Sequence, residues 1–292
     1  MHPTDRRRRF RHVLSGDRAI RPASVWDPIS ARIAESLAFE IGMMAGSVAS
    51  AAAVGAPDIA VITLTEFAEQ AHRVTRASSL SLMVDADHGY GNAMSVMRTV
   101  RELEDAGVAA MTIEDTLLPA RHGVAKTEII SVSEMEGKLR AALAARQDPA
   151  TVVIGRTAAL GVEGLESTLA RVKAYGATGV DGIFLTDVKS EEQLTAIRGV
   201  TSLPLLLGST PEALTYEIMA RHGVRVGLRG HTPFQMAVKA VHDALKHQRD
   251  CGVPSEMKDR VASSEVMGIA TGAAQHAAWQ RDFLGTAPDV RA

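Results

Sequence analysis

The sequence predicts a closed (β/α)8 barrel of the TIM type, followed by a C-terminal helical extension. Three observations predict this fold: short apolar runs alternate with helix-like patterns, eight such pairs can be distinguished, and no long spacer separates them. A doubly wound open sheet is the alternative. The chain has 292 residues, of which 46% are hydrophobic, and a barrel of this size is commonly one domain.

The predicted strands are short apolar runs that end near glycine or polar residues. They span residues 23–27, 41–47, 80–85, 109–115, 151–157, 181–188, 203–209 and 225–231. In the helical patterns between them, Pro28 lies near the start of the first helix, Thr65 is the expected N-cap of the helix over residues 64–77, and Gly107 ends the helix over residues 92–107. The remaining helical patterns cover residues 131–146, 164–177, 190–200, 211–224 and 232–249.

We expect residues 1–292 to form a single barrel domain. Residues 1–20 are expected to be an N-terminal helical segment, and residues 250–292 a C-terminal helical extension. Such an extension often packs on a partner subunit, although it could simply cap the barrel.

Composition excludes several classes of protein. The formal net charge of -2 argues against a nucleic-acid-binding protein, and the one basic run, RRRRF over residues 6–10, is expected to form a solvated face. Cys251 is the single cysteine, so an internal disulfide and a cysteine-rich metal site are excluded. No apolar run is long enough to cross a bilayer, and no apolar segment of a secretory signal follows the N-terminal charges. A soluble cytoplasmic protein is therefore expected, with no nucleic-acid or membrane partner.

Polar residues follow most of the predicted strands. Active sites of such barrels lie at the carboxyl ends of the strands, so these residues are expected to meet at one mouth. They are Asp27 at the end of strand one, Gly46 and Ser47 at the end of strand two, Asp85 and Asp87 at the end of strand three, Glu114 and Asp115 at the end of strand four, Arg156 at the end of strand five and His231 following strand eight.

Several carboxylates in a small space repel one another unless a cation lies between them. Oxygen ligands without cysteine indicate a hard metal, Mg²⁺ or alternatively Mn²⁺. Because Mg²⁺ keeps several waters, we expect Asp85 to bind it directly, and Asp58, Asp87 and Glu114 to act through water or from a second layer. The alternative, that an acid only caps a helix or pairs with arginine, is equally weighted for Asp27 and Asp115.

Three further residues are candidates for substrate contacts. Arg156 has the forked donor set that suits a substrate carboxylate or phosphate, although it could instead pair with Glu114. Ser47 offers a hydroxyl and a backbone N–H to an anionic oxygen. His231 is either a ligand contact or a packed loop residue, and spacing does not decide between these interpretations.

Several motifs resemble those of the phosphoenolpyruvate mutase/isocitrate lyase superfamily. They are GSVAS, APDIAVIT, DADHGYGNAMSVMRTV, TIEDTLLP and GRT, and the similarity runs from residue 23 to residue 231 and into the following helix. DADHGYGN, IEDTLLPARHG and GHTPF together look most like the bacterial oxaloacetate decarboxylase branch.

The resemblance implies a function as well as a fold. It implies a TIM-type barrel and Mg²⁺-dependent decarboxylation of oxaloacetate, or of a 3-substituted analogue, to pyruvate and CO₂ through an enolate. It implies that Ser47, Arg156 and His231 contact the substrate and that Asp85 binds the metal, with Arg156 and His231 as the catalytic residues. It also implies a homotetramer, a dimer of dimers that exchange their C-terminal helix.

The sequence also departs from the superfamily. Lyases of the superfamily carry a KKCGH-type loop whose cysteine is the catalytic acid, whereas the loop after strand four, LLPARHGVAKTEI, contains none. This argues against cleavage of isocitrate or methylisocitrate. The family often has Asp or Asn where this chain has Ala158. Two alternatives are therefore kept: another 2-oxo acid enolate enzyme (a phosphonopyruvate hydrolase or a C–C lyase), and a barrel that binds a 2-oxo acid without turnover.

Overall fold

A computed structural model describes residues 1–285 of the chain. Within these residues eight parallel strands form one sheet in the order β1 to β8. The strands are β1 (Ala23–Ser24), β2 (Ile41–Met44), β3 (Ser81–Asp85), β4 (Ala110–Glu114), β5 (Val152–Thr157), β6 (Gly182–Leu185), β7 (Leu205–Leu207) and β8 (Val224–Gly227). Ile20, just before β1, pairs in parallel with Val226 of β8. This pairing joins the two edges of the sheet, so the predicted barrel is confirmed and the open sheet is excluded.

Helices follow the strands as the alternating pattern predicts. They are α1 (Pro3–Ser15), α2 (Pro28–Ser36), α3 (Gly46–Val54), α4 (Leu64–Ala77), α5 (Ala93–Asp105), α6 (Val132–Ala145), α7 (Ala159–Val162), α8 (Leu165–Ala177), α9 (Glu191–Arg198), α10 (Tyr216–Arg221), α11 (Thr232–Arg249), α12 (Ser264–Thr271) and α13 (Ala273–Leu284), with a 3-10 helix over Pro254–Arg260. None of the helices within residues 1–285 is long and apolar enough to cross a membrane.

Among the differences from the predicted elements, two concern the starts of helices. Helix α4 has the predicted bounds, but its N-cap is Thr63 and not Thr65, because Thr63 and Glu66 form a reciprocal capping box. Strand β2 ends at Met44 and α3 begins at Gly46, so Gly46 and Ser47 lie in the first turn of a helix and not at the end of a strand.

Side chains of the strands alternate between two hydrophobic cores. On β3, Leu82 and Val84 pack in the layer between sheet and helices, whereas Met83 lies in the barrel interior. The interior core is completed by apolar residues from the other strands and from α1, including Phe10, Val13, Met43, Ala110, Ile154, Phe184, Leu206 and Val226. This interior is filled, so a substrate can enter only at the mouth.

The expectation that the basic run over residues 6–10 forms a solvated face is wrong for Arg6 and Arg7, which are buried in α1. Phe10 is fully buried in the barrel interior, and this position brings Arg6 and Arg7 under the amino ends of the strands. Arg7 donates to the backbone oxygens of Glu104 and Val108, at 2.6 and 3.1 Å, and Arg6 donates to the backbone oxygen of Thr75. The two arginines are buried because they satisfy carbonyl groups that would otherwise lack partners at the closed end of the barrel.

Candidate functional site at the barrel mouth

Polar side chains lie at or near the carboxyl ends of three neighbouring strands, on the inner face of the barrel. Asp85 ends β3, Glu114 ends β4, and Arg156 lies one residue before the end of β5. Since side chains alternate along a strand, these residues continue the inward-facing series that begins deeper in the barrel. Asp85 lies opposite Thr112 in the register of the sheet, and Glu114 lies opposite Arg156. The structure therefore brings these predicted site residues together.

Arg156 lies between two carboxylates. Its Nη1 pairs with Asp85 Oδ2, its Nη2 lies 2.9 Å from Glu114 Oε2, and its guanidinium stacks over the ring of Phe184 at 5.5 Å. Burial lowers the pKa of Arg156, but the charges of Asp85 and Glu114 outweigh burial and raise it above its usual value. Arg156 Nε is buried and has no acceptor within residues 1–285. The ion pair between Arg156 and Glu114, which the sequence left open, is present, and the Nε–H of Arg156 still lacks an acceptor among the described residues.

Asp87 is held against the start of α3. Its φ of +46° lies in the left-handed region, and its carboxylate lies so close to Gly46 that a Cβ atom there would collide with Oδ1. The first residue of α3 must therefore be glycine, and the carboxylate lies at the positive end of the helix. Burial raises the pKa of Asp87 to about 8, with further contributions from the charges of Asp85 and Glu114.

Glu114 and Asp58 add to this concentration of negative charge. Burial raises the pKa of Glu114 to about 7, with Arg156 opposing the shift and Asp85 adding to it. Glu114 Oε2 receives no well-aligned hydrogen bond from any described residue. Asp58 lies on the exposed loop after α3, and the pKa of its carboxyl is raised by desolvation and by Asp85. The negative charge of Asp85 thus raises the pKa of three further carboxyl groups, and a cation would relieve the excess charge.

The donor set fits Mg²⁺. Within residues 1–285 no three His, Cys, Asp or Glu side chains are grouped closely enough to enclose a metal between them. Mg²⁺ does not need such an enclosure, because it binds through one or two carboxylates and keeps several waters. Asp85 is oriented for this role, since Thr112 Oγ1 donates to its Oδ1 at 2.8 Å. Apart from the guanidinium, the side-chain atoms of this cluster that could act as metal ligands are all oxygens, which also suits Mn²⁺.

Ser47 lies beside this cluster in the first turn of α3. The N-cap of the helix is Ala45, so no side chain of the described chain caps its first amide groups. Uncapped amides at a helix N-terminus are donors for an anionic oxygen. Ser47 was predicted at the end of a strand. In the first turn of α3 its backbone N–H is instead one of the amides that have no acceptor within the helix.

His231 reaches the mouth from the start of α11. Its Nδ1 lies 2.9 Å from Ser24 Oγ on β1. Burial lowers the pKa of His231, and the negative charge of Asp85 opposes this shift. The influence of Asp85 shows that the ring lies within electrostatic range of the acid cluster. His231 is thus partly buried, and its burial favours the neutral form of the ring.

Two acids that the sequence also placed at strand ends have structural roles. Asp27 caps α2, where its Oδ1 accepts a hydrogen bond from Ser30 N at 2.7 Å within a capping box. Asp115 is fully buried and points away from the mouth, accepting hydrogen bonds from Thr157 Oγ1 at 2.7 Å and Tyr175 Oη at 2.8 Å, and pairing with Arg171. The structural interpretation therefore holds for both.

Sequence reasoning missed Ser24 and Thr112. Ser24 lies between Ala23 and Val25, both of which pack in the layer between sheet and helices. Thr112 lies two residues before Glu114. Because residues two apart on a strand share a face, alternation could have placed both hydroxyls inside the barrel. Their partners, His231 and Asp85, come from distant parts of the chain and were not visible in the sequence.

Comparison with known proteins places this chain in a family. The family model described as phosphoenolpyruvate phosphomutase matches residues 10–249. A protein of Bradyrhizobium diazoefficiens named oxaloacetate decarboxylase is 50% identical over 281 residues, which cover 96% of this chain and 97% of that one.

Solved structures agree with this placement. The crystal structure of phosphoenolpyruvate phosphomutase from Streptomyces platensis subsp. rosaceus superposes with a TM-score of 0.86 at 27% identity, covering 94% of this chain and 98% of that one. A phosphonopyruvate hydrolase structure in complex with oxalate and Mg²⁺ superposes with a TM-score of 0.83 at 27% identity, covering 97% and 100%. The motifs at the barrel mouth and the extent of these matches lead to one conclusion: the chain belongs to the phosphoenolpyruvate phosphomutase family.

Proposed function

We propose that the protein is a carboxy-lyase that converts oxaloacetate, or a close 3-substituted 2-oxo diacid, to a pyruvate-type product and CO₂. The observation that carries the proposal is the arrangement of Asp85, Glu114 and Arg156 at the mouth of the barrel. The sequence of this chain is also 50% identical to that of a protein named oxaloacetate decarboxylase. This arrangement offers a carboxylate that could hold a metal next to a fixed cation. Those are the groups that binding a 2-oxo acid requires.

In this proposal Asp85 would hold Mg²⁺, or Mn²⁺, directly, while Asp58, Asp87 and Glu114 would act through its water ligands or from a second layer. When bound, the metal supplies Lewis-acid stabilisation of the charge that develops on the 2-oxo oxygen. The structure of a family neighbour with oxalate and Mg²⁺ supports this cofactor. The carboxylates of this chain therefore position the cation, and their own negative charge is neutralised by it.

Other residues act on the substrate directly. Breaking the bond between C3 and the distal carboxylate releases CO₂ and leaves the electron pair as an enolate, which later takes a proton at C3. Arg156, through its guanidinium charge, and the first amides of α3 near Ser47 would add fixed positive potential at the oxo-acid end. His231 would hold the distal carboxylate before it leaves.

The test is release of pyruvate and CO₂ from oxaloacetate, with Mg²⁺ and with a chelator, corrected for the reaction that the metal performs alone. Turnover above this background that disappears with the chelator would support the proposal. Parallel assays with phosphonopyruvate and other 2-oxo diacids distinguish a hydrolase or another lyase. Stabilisation of the fold by these compounds without any product would indicate a binding barrel.

The position of His231 makes a prediction about substrate specificity. If it contacts the distal carboxylate, His231→Ala should weaken oxaloacetate turnover by the ~1.5–3 kcal/mol of a charge-assisted hydrogen bond, about tenfold or more. Inhibition by oxalate, which lacks the distal carboxylate, should change much less. Steady-state kinetics with both compounds measures the difference.

The matched control is His222→Ala. His222 precedes β8, at the opposite end of the barrel, and pairs with Glu191 at 2.9 Å. This variant should leave both measurements unchanged. Equal losses of oxaloacetate and oxalate in His231→Ala would mean that His231 shapes the whole pocket, and no loss would mean that it is a packed loop residue.

The raised pKa values of the metal-site acids predict how stability depends on pH. Asp87 and Glu114 have folded-state pKa values of about 8 and about 7, above the values of 3.8 and 4.5 expected for unfolded chains. At pH values between the unfolded-state and folded-state pKa values, the folded state binds more protons than the unfolded state. The free energy of unfolding of the metal-free protein should therefore fall as pH rises. Saturating Mg²⁺ should reduce this dependence, because it favours the ionised carboxylates.

Thermal melting between pH 5 and 8 (a range set by these shifts), with Mg²⁺ and with chelator, measures this effect. Asp87→Asn should flatten the profile in chelator, since it removes the acid with the largest shift. A metal-free melting temperature that does not fall with rising pH in the unmodified protein would contradict the prediction.

We propose further that the protein is a homotetramer, built from two dimers that exchange their C-terminal helix, and the exposed helix that supports this exchange is α11. The helix has no buried residue in the described chain, and Met236, Val238, Val241 and Leu245 are between 54% and 66% exposed. A cavity of about 570 Å³ lies between α2 and the start of α11, with a lining that is mostly apolar. An α11 from a second copy would cover such surfaces.

Sedimentation analysis should therefore give four times the 31.0 kDa mass of the chain. Val241→Asp with Leu245→Asp should lower the assembled mass, because two charges would enter an apolar interface. Met94→Asp, at an equally exposed apolar residue on α5, should not. A monomer at every protein concentration would contradict the proposed assembly.

A further inference from the structure

The hydrogen bond between Ser24 and His231 joins two elements that are far apart in sequence. Ser24 Oγ lies 2.9 Å from His231 Nδ1, across 207 positions of the chain. Ser24 is the last residue of β1, and its neighbours Ala23 and Val25 face the surrounding helices, so the serine faces the barrel interior. Among residues 1–285 neither side chain forms another hydrogen bond. The contact therefore fixes which edge of the imidazole is turned towards the wall of the barrel.

A neutral imidazole carries one N–H, and its position decides what the other edge can do. Burial lowers the pKa of His231, which favours the neutral ring near neutral pH. If the serine hydroxyl donates to Nδ1, the ring proton must be on Nε2. If Nδ1 carries the proton and donates to the serine, Nε2 is only an acceptor. A substrate carboxylate is itself only an acceptor, so it can bind the first form and not the second.

We propose that Ser24 is a positioning residue: its hydroxyl donates to Nδ1 of His231 and holds the ring as the Nε2–H tautomer, so that the mouth offers a donor to the distal carboxylate of the substrate. The inference rests on the proposed function for the identity of that carboxylate, but the tautomer can be tested without it. A strand residue suits this role, because β1 is fixed by its pairing with β2. The partner of a histidine commonly sets its tautomer in the same way in metal sites.

A double-mutant cycle tests whether Ser24 acts through His231. Ser24→Ala should lower kcat/KM for oxaloacetate about three- to tenfold, as expected for loss of one hydrogen bond, and should change oxalate inhibition less than about twofold. In the His231→Ala background the same substitution should have almost no further effect. Ser24→Thr keeps a hydroxyl and should retain most of the activity.

Ser81→Ala is the matched control for these kinetics. Ser81 is also a strand serine with one hydrogen bond, donated to the backbone oxygen of Arg6 at 2.8 Å, but it lies at the closed end of the barrel. Its loss should affect stability and leave kcat/KM unchanged. If Ser24→Ala lowers kcat/KM equally in both backgrounds, the serine acts independently of His231 and the proposal is overturned.

Nitrogen NMR of protein labelled with ¹⁵N-histidine reads the tautomer directly. His231 is assigned as the signal pair that disappears in His231→Ala. We expect an unprotonated Nδ1 and a protonated Nε2 in the unmodified protein, and a mixture of tautomers in Ser24→Ala. A protonated Nδ1 in the unmodified protein would overturn the proposal. Absence of oxaloacetate turnover would instead contradict the proposed function, and the NMR result would still decide the role of Ser24.

Discussion

Asp85→Asn should abolish most metal-dependent turnover while leaving the fold intact. The amide can keep its oxygen towards Arg156 Nη1 and donate from its nitrogen to Thr112 Oγ1, so the side chain keeps its orientation, but it has lost the charge that binds the cation. Losing the Lewis acid removes several kcal/mol of stabilisation of the developing charge, so the rate should fall by about a hundredfold or more. Raising the Mg²⁺ concentration should restore little of it. Arg156 keeps one carboxylate partner in Glu114.

Asp27→Asn is the matched control for this experiment. Asp27 also follows a strand, but its carboxylate caps α2, and asparagine is an equally good N-cap. Kinetics against Mg²⁺ concentration and thermal melting in chelator should show a normal enzyme for Asp27→Asn and an inactive, folded one for Asp85→Asn. Near-normal turnover of Asp85→Asn at ordinary Mg²⁺ concentrations would mean that another residue binds the metal.

Arg156→Met should lower both stability and activity. Removing the arginine leaves Asp85 and Glu114 buried without their shared cation, and breaking a buried ion pair in this way typically costs about 3–5 kcal/mol. Oxaloacetate turnover and oxalate inhibition should both be lost, because Arg156 is assigned to the oxo-acid end that the two compounds share. Urea denaturation and inhibition kinetics measure the two effects.

Added Mg²⁺ should stabilise Arg156→Met more than the unmodified protein, since the cation takes over the neutralisation of the carboxylates. Arg7→Met is the control, because Arg7 is also buried and pairs with Asp148 at 2.8 Å, but at the closed end of the barrel. It should lose stability and keep its turnover and oxalate inhibition. If Arg156→Met retains oxalate inhibition, the guanidinium serves the fold alone.

Local patterns in the sequence were sufficient to predict the barrel. Each predicted strand is present, although the structure ends several of them earlier, and α4 has the bounds that its helical pattern predicted. These features depend on residues close together in the chain: the period of apolar residues, and the proline, glycine and capping residues at the ends. The predicted N-cap, Thr65, lies inside α4, which begins at Leu64; the residue before the helix is Thr63, and it forms the capping box with Glu66.

By itself, the sequence determined that eight βα units would bring their strand ends together, and hence that Asp85, Glu114 and Arg156 share one mouth. Only the tertiary structure decided what each polar group does there. Asp27 and Asp85 both end predicted strands, yet one caps the helix that follows it and the other faces Arg156 from a strand two positions away in the sheet. A carboxylate has the same chemistry in both places, and its role depends on the atoms within hydrogen-bonding distance. For Asp27 these belong to Ser30, three residues along the chain, whereas for Asp85 they come from strands that only the closed barrel brings together.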